Sequence, residues 1–362
     1  MNSTLLVELF TEELPPKALQ TLGNAFAELL SKTLRDEGHL ADNSVVKNFA
    51  SPRRLACRIT NVAAVSPEKK IQERLLPVKI GLDANGQPTP PLQKKLDSLG
   101  LGAIGVDQLE TISDGKQDVL HISRTQPGKA LEESLSKALD IATTKLPIPK
   151  VMSYQRPDGS TVHFVRPAHR LVCLHGDKVV PAQVLGLESD RITLGHRFLS
   201  QGVLNIASSD SYEAQLETEG KVIASFEKRK AAIVKALADQ ATGDKVVQPE
   251  ELIDEVCALV EWPVVYEAGF EKEFLEVPQE CLILTMQANQ KYFAITDQNG
   301  KMKNRFLLVS NLLTHTPELI TTGNERVLRA RLADAKFFFD QDRKKTLESR
   351  LPGLANVVYH NK

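Results

Sequence analysis

NERVLRARLADAKFFFDQDRKK, residues 324–345, carries apolar, basic and aromatic signals at the period of one long helix. At about 100° per residue, Val327, Leu328, Leu332, Ala335, Phe338 and Phe339 fall within one arc wide enough to face a core. Arg329, Lys336 and Arg343 recur along one edge of that arc as a basic ridge, which Lys344 extends. Between Glu325 and Lys345 seven Lys/Arg stand against four Asp/Glu, so the positive charge is local in a chain whose formal net charge is −1. Phe337 points the other way, beside Arg326, and needs its own partner: a second packed layer, or a base or ligand to stack on. Gly323-Asn324 reads as the helix start, because an Asn side chain there accepts an otherwise unpaired backbone N–H.

Moving outward from this helix, the pattern turns to strands and shorter helices. Thr316-Pro317 opens a short helix that leads into it. Residues 291–296 and 305–310 flank Asn299-Gly300 as a hairpin, 264–267 reads as a strand, and 280–287 fits either a buried helix or a strand. Residues 249–260 and 221–240 read as helices. In the latter Val222, Phe226, Ile233 and Leu237 form a packed side, while Lys228, Arg229, Lys230 and Lys235 are either solvated or set on an RNA backbone. Residues 161–198 alternate like an antiparallel sheet with a turn at Gly176-Asp177. His163, Arg166, His169, Arg170, Arg191, His196 and Arg197 gather at its ends, where phosphate or core contacts are expected; with no third ligand near His163 and His169, a metal site is not.

At the N-terminus, residues 4–10 read as a strand and 14–36 as a helix entered through Pro15-Pro16 and stopped by Gly38. Thr11-Glu12-Glu13 and residues 51–56 sit at strand ends, where sites concentrate. Residues 66–91 read as an exposed arm, followed by a short helix, a hairpin through Asp114-Gly115 and a helix over 129–145. The whole is α+β and multi-domain, with mixed and antiparallel sheets and packed helices. Its expected parts are a body of residues 1–65 and 146–200, an inserted arm and small subdomain over 66–145, a helical segment plus α+β domain over 201–345, and the start of a linker over 346–362.

A chain of 362 residues can bury two or three cores. It has no apolar run near the ~18 residues of a membrane span, and MNSTLLVELF, interrupted by Glu8, lacks the basic start and cleavage site of a secretory signal. A cytoplasmic protein without a membrane segment is expected. Cys57, Cys173, Cys257 and Cys281 are far apart in apolar surroundings and read as buried free thiols. The near-zero net charge argues against indiscriminate nucleic-acid binding but leaves room for an RNA held by local patches. GxxxxGK[ST], GxSxG, HExxH and a convincing GxGxxG are all missing. From the residues alone, a binding module and an enzyme with dispersed catalytic groups both stay open.

Eight motifs in order carry a resemblance across nearly the whole chain: EELPP (12–16), SPRRLA (51–56), KLPIPKVM (145–152), HFVRP with His169 (163–169), GHRF (195–198), LVEWPVV (259–265), QKYF (290–293), and ADAKFFF with DRKK (333–345). Together they resemble the beta subunit of bacterial heterotetrameric glycyl-tRNA synthetase. The resemblance implies an alpha2beta2 enzyme in which the alpha subunit activates glycine with ATP and magnesium, while the beta subunit binds tRNA(Gly). No cofactor is then expected on this chain. Beta subunits of the family continue into an HD-type helical domain and an anticodon-binding domain, so this chain resembles about the N-terminal half. The family also implies, within 201–345, a domain similar to the B3/B4 editing domain of the phenylalanyl-tRNA synthetase beta chain. Editing by size has nothing to act on when the correct amino acid is the smallest, so RNA binding or assembly is expected there instead. The candidate RNA contacts are Arg53, Arg54, Arg326, Arg329, Lys336, Arg343 and Lys344. The alternatives are an editing hydrolase using Lys291, Tyr292 and Glu325, or a purely structural docking module.

Overall fold

LLVELFT, at the start of the chain, is buried along its whole length, so both faces of its strand, Asn2–Thr11, are covered. Leu5, Val7 and Leu9 enter the largest apolar cluster, and Leu6 enters another across the sheet. A computed structural model describes residues 2–113, 115 and 117–358 of the chain. In it this strand is central to a seven-stranded sheet ordered Gln183–Val184, Leu187–Asp190, Ala168–His175, Asn2–Thr11, Arg54–Ala63, Val46–Ser51, with Lys178–Val179 also on Ala168–His175. Its pairings are antiparallel except that of Leu187–Asp190 with Ala168–His175. The register sets Glu8 opposite Ala56 on one side and Val172 on the other.

The helix Leu19–Glu37 lays Leu19, Leu22, Phe26, Leu30 and Leu34 against this sheet at helical spacing. Each such side chain contributes about 1.5–3 kcal/mol on burial. Gly38, at φ +91°, ends the helix in the left-handed conformation expected of it. A second sheet, Lys245–Val246, Phe293–Thr296, Met302–Ser310 and Val264–Gly269, is antiparallel throughout. Phe226, Ile233, Leu237, Phe293, Ile295 and Leu307 join the same large cluster as Leu5 and Phe26, so the first and second sheets share one core.

A third sheet, Lys69–Pro77, Asp118–Gln126 and Leu109–Ser113, keeps its own cluster of Leu75, Leu92, Leu96, Leu120 and Ile122. The stretch read as an exposed arm therefore supplies a strand, because Leu75 has Leu120 and Ile122 to pack on. Asp114 of the expected hairpin turn, and residues 359–362 of the expected linker, lie outside the described residues.

The long helix departs from expectation. It is continuous over Pro317–Asp342, with no start at Asn324. Instead of capping, Asn324 donates to Ile320 O at 2.7 Å and accepts the Tyr292 hydroxyl at 2.5 Å, which ties mid-helix to the second sheet. Only Leu328 and Leu332 are fully buried and Phe339 packs partly; Val327 and Phe338, expected in the core, are exposed. The helix meets Val264–Gly269, Lys272–Glu276 and Gln279–Thr285 on one side only, so the rest of the arc finds nothing to pack on.

Three further readings change. The helix expected over 221–240 is Phe226–Ala241, capped by Ser225, which accepts the Lys228 N–H. Arg229 is not on its basic side but fully buried, donating to Cys257 O, Ile223 O and Ala50 O at 2.9, 2.6 and 2.8 Å. Cys281 is exposed, whereas Cys57, Cys173 and Cys257 are buried free thiols. The ambiguous 280–287 run is helical, Gln279–Thr285, and continues as a π-helical turn, Met286–Gln290. Among the described residues no helix is long and apolar enough to cross a membrane.

Candidate nucleic-acid interface

Where the central strand ends, its backbone is tied to two other junctions. Thr11 N–H donates to Arg53 O at 2.8 Å, Glu12 N–H to Pro167 O at 2.9 Å and Leu14 N–H to Pro52 O at 2.7 Å. The Arg53 guanidinium donates to Gly195 O at 2.8 Å and to Glu261 Oε2 at 2.7 Å. The N–H groups of Glu261 and Trp262 both donate to Asn311 Oδ1, at 2.8 and 3.0 Å. EELPP, SPRRLA, HFVRPAH, GHRF and LVEWPVV, remote in sequence, thus meet at one end of the seven-stranded sheet.

Beneath this junction lies an ionic cluster shut away from solvent. Glu8 and Arg54 are both fully buried. Arg54 Nε lies 3.6 Å from Glu8 Oε2, and Nη2 lies 3.9 Å from Glu261 Oε1. Glu8 also accepts from the Thr193 and Tyr212 hydroxyls, and Arg54 donates to Leu194 O at 2.6 Å. The Phe10 ring faces the guanidinium carbons of Arg53 and Arg54 at 5.2 and 5.5 Å. Burial acts to lower the Arg54 pKa, but the charges of Glu8 and Glu261 outweigh it and leave it above its ordinary value. Burial, then the Glu8 charge, pushes Tyr212 well above its ordinary value, so its hydroxyl stays a donor. Through Thr193, Leu194 and Gly195 the cluster fastens the GHRF loop to the sheet. Gly195 is needed there, because a Cβ would sit 2.7 Å from Gly220 O.

The surface above carries partly exposed ion pairs. Glu12 accepts from His169 Nε2 at 3.0 Å and from Arg197 Nη2 at 2.7 Å, and Arg197 lies 3.5 Å from Glu13. Burial opposes ionisation of Glu12, but the His169 hydrogen bond and the Arg197 charge outweigh it and hold the carboxyl below its ordinary range. Arg166 Nε donates to Glu13 O at 2.9 Å, and Arg170 lies 3.9 Å from Asp190. A groove of about 550 Å³ runs between Glu12, His169, Arg170 and Arg197. Beside it Phe198 is 77% exposed.

The expected RNA contacts fall elsewhere. Arg53 and Arg54 are interior, because Glu8 and Glu261 reach them from distant parts of the chain; Arg54 is fully buried, whereas Arg53 is 5% exposed and lines the groove. Of the basic ridge, Arg329 pairs with Glu271 at 2.5 Å and Lys336 with Glu276 at 2.7 Å. Arg343 lies over the Phe339 ring at 5.4 Å; Arg326 and Lys344 are exposed. Among the described residues, the three of the hydrolase alternative have separate surroundings. Lys291 lines a cleft of about 580 Å³ and pairs with Glu255 at 3.0 Å, whereas Tyr292 is buried against Asn324 and Glu325 accepts the Gly269 N–H at 2.9 Å. The cations at the sheet end were visible in the sequence. The exposure of Phe198 was not, since nothing in GHRF separates a displayed ring from a packed one.

A family model described as glycyl-tRNA synthetase beta subunit matches residues 5–362. A glycine–tRNA ligase beta subunit of Ralstonia nicotianae is 55% identical over 99% of this chain and 52% of its own length. Proteins of the same name from Leptothrix cholodnii and Neisseria meningitidis are 56% and 54% identical, over 100% of this chain and 51% and 52% of theirs. The chain spans about half the length of the curated relatives it matches.

Proposed function

This chain belongs to the family of glycyl-tRNA synthetase beta subunits, and we propose that it serves a cytoplasmic glycine–tRNA ligase by gripping tRNA(Gly) and docking onto a catalytic alpha subunit. The observation that carries the proposal is the sheet-end surface, where His169, Arg170 and Arg197 line one groove, Arg166 is tied to Glu13, and the exposed Phe198 follows Arg197 in the chain. Exposed ion pairs are worth only about 0–1 kcal/mol, so an RNA phosphate can replace Glu12, Glu13 or Asp190 as the arginines' partner at little cost. Such contacts supply salt-dependent affinity and fix position without reading sequence. Arg326, Arg343 and Lys344, all exposed, extend the RNA-facing charge.

In this scheme ATP and magnesium act on the alpha subunit, within an alpha2beta2 assembly. Docking enters because Leu319, Val327, Phe337 and Phe338 expose apolar surface along the long helix. Labelled tRNA(Gly) titrated into the chain at two salt concentrations, with and without the alpha subunit, tests both parts. Salt-sensitive binding by the chain alone supports the RNA grip; binding only with the alpha subunit leaves a docking module. Deacylation of a mischarged tRNA by this chain would restore the hydrolase alternative.

A further inference from the structure

His196, at the root of the GHRF loop, is 1% exposed. Its Nδ1 accepts the backbone N–H groups of Phe198 and Leu199, both at 3.2 Å. An Nδ1 that accepts carries no proton, so the neutral ring holds its proton on Nε2. That Nε2 is buried and has no hydrogen-bond partner among the described residues. Neither has Oε1 of Glu261, a residue 2% exposed whose other oxygen is taken by Arg53 at 2.7 Å. Both side chains line one cavity of about 100 Å³, and its solvent-facing wall includes Arg197, Phe198 and Leu259. Arg54 Nη2 lies 3.9 Å from Glu261 Oε1, beyond hydrogen-bond reach. A buried donor and a buried acceptor on two side chains of one cavity therefore lack hydrogen bonds, and a ligand that offers the reverse pair would satisfy them.

We propose that this cavity takes the polar edge of one unpaired RNA base, with Phe198 packed on the base's face; the proposal rests on the RNA reading above. A base edge sets a ring nitrogen or carbonyl beside an amino or imino N–H, a pairing complementary to the donor of His196 and the acceptor of Glu261, two side chains that line this cavity. Its flat apolar face suits an aromatic ring that is otherwise 77% exposed. A phosphate does not fit, because the Glu261 carboxylate repels it. Charge on Arg170 and Arg197 would hold the backbone outside while the base enters.

The test measures fluorescence anisotropy of a labelled 12-nucleotide single-stranded RNA, and of the same strand in a blunt duplex, against the full chain. Stacking on an aromatic residue is typically lost at a cost of about five- to a hundredfold in affinity. Phe198→Ala should therefore weaken single-strand binding at least fivefold and duplex binding less than twofold. Leu259→Trp, which fills the rim and leaves His196 and Glu261 in place, should do the same. If both variants bind single strands within twofold of the parent while Arg170→Glu/Arg197→Glu binds weakly, the base pocket is overturned and the RNA interface stands. If no variant alters binding, both fall. Equal losses for single strand and duplex would also overturn the pocket. So would loss of alpha-subunit binding with RNA binding intact, which would assign the cavity to a protein amide.

Discussion

Replacing Glu8 by Gln tests whether the buried cluster holds the sheet end together through charge. The substitution keeps the shape and one acceptor oxygen, so one of the Thr193 and Tyr212 hydroxyls must turn to accept from the new amide, and it removes the carboxylate 3.6 Å from Arg54 Nε. Arg54 is fully buried, and Glu261 at 3.9 Å is then the only carboxylate paired with it among the described residues. Leaving a buried cation without its partner costs about 3–5 kcal/mol, far more than the ~1 kcal/mol of an exposed pair. Removing both charges costs less than the sum, because a neutral pair has no desolvated ion to satisfy. Urea unfolding followed through Trp262, adjacent to Glu261, should give about 3–5 kcal/mol for Glu8→Gln. For Glu8→Gln/Arg54→Met the loss should fall short of additivity by at least about 2 kcal/mol. A loss under about 1 kcal/mol for Glu8→Gln, or an additive cycle, would refute the assignment of a charged buried pair.

Of the four thiols, only Cys281 is exposed, and burial raises the pKa of Cys57 to about 12 and of Cys257 to about 11. Native protein should therefore release one equivalent of chromophore with a thiol reagent at pH 8 and four after denaturation; fast release of more than one contradicts the packing. Glu37 accepts from Lys129 and Lys137 at 2.7 and 2.5 Å, and these bonds hold its carboxyl down to about 2 from 4.5. Because the folded carboxyl ionises more readily than the unfolded one, its contribution is complete above about pH 4.5 and fades as pH falls toward 2. With partly exposed lysines that contribution is about 1–2 kcal/mol, so the stability gap between parent and Glu37→Gln should be present at pH 6 and shrink by pH 3.5. Along the long helix, Phe338→Ala should change stability by less than about 0.5 kcal/mol, while Phe339→Ala costs about 1–3 kcal/mol. Equal thermal shifts for the two would show that the helix is packed on a different face.

Much of the fold was legible because it rests on local rules. The turn at Asn299-Gly300 and the stop at Gly38 each follow from chemistry within a few residues. Residues 161–198, read as an antiparallel sheet, are instead divided among three sheets and include the parallel pairing of Leu187–Asp190 with Ala168–His175, because partners are chosen over long range. Burial depends on what lies opposite, and that is where the reading failed. A helical wheel places Phe338 beside Leu328 but cannot say that the second core takes up Phe339 and leaves Phe338 exposed. Arg54 and Arg229 read as surface charges because solvation is the ordinary fate of an arginine. Their interior partners, Glu8 and the carbonyls of Ala50 and Cys257, come from other segments. Asn324 read as a cap because its partner, Tyr292, is likewise supplied by the fold. For the site, the cations at 166, 169, 170 and 197 were visible as a group, but the meeting of His169 and Arg197 on Glu12 needed the register of the central sheet.

The central claim is that RNA meets this chain at the end of the seven-stranded sheet. Its most direct test is the salt dependence of labelled tRNA(Gly) binding to the parent, to Arg170→Glu/Arg197→Glu and to Arg329→Glu/Lys336→Glu. Each phosphate contact contributes about 0.7–0.9 to the slope of log K against log salt. The sheet-end variant should bind at least tenfold more weakly, with a slope shallower by about 1.5. The ridge variant, whose cations lie on the long helix and not at the sheet end, should stay within about twofold of the parent. A loss confined to the ridge variant, with parental affinity and slope for the sheet-end variant, would contradict the account.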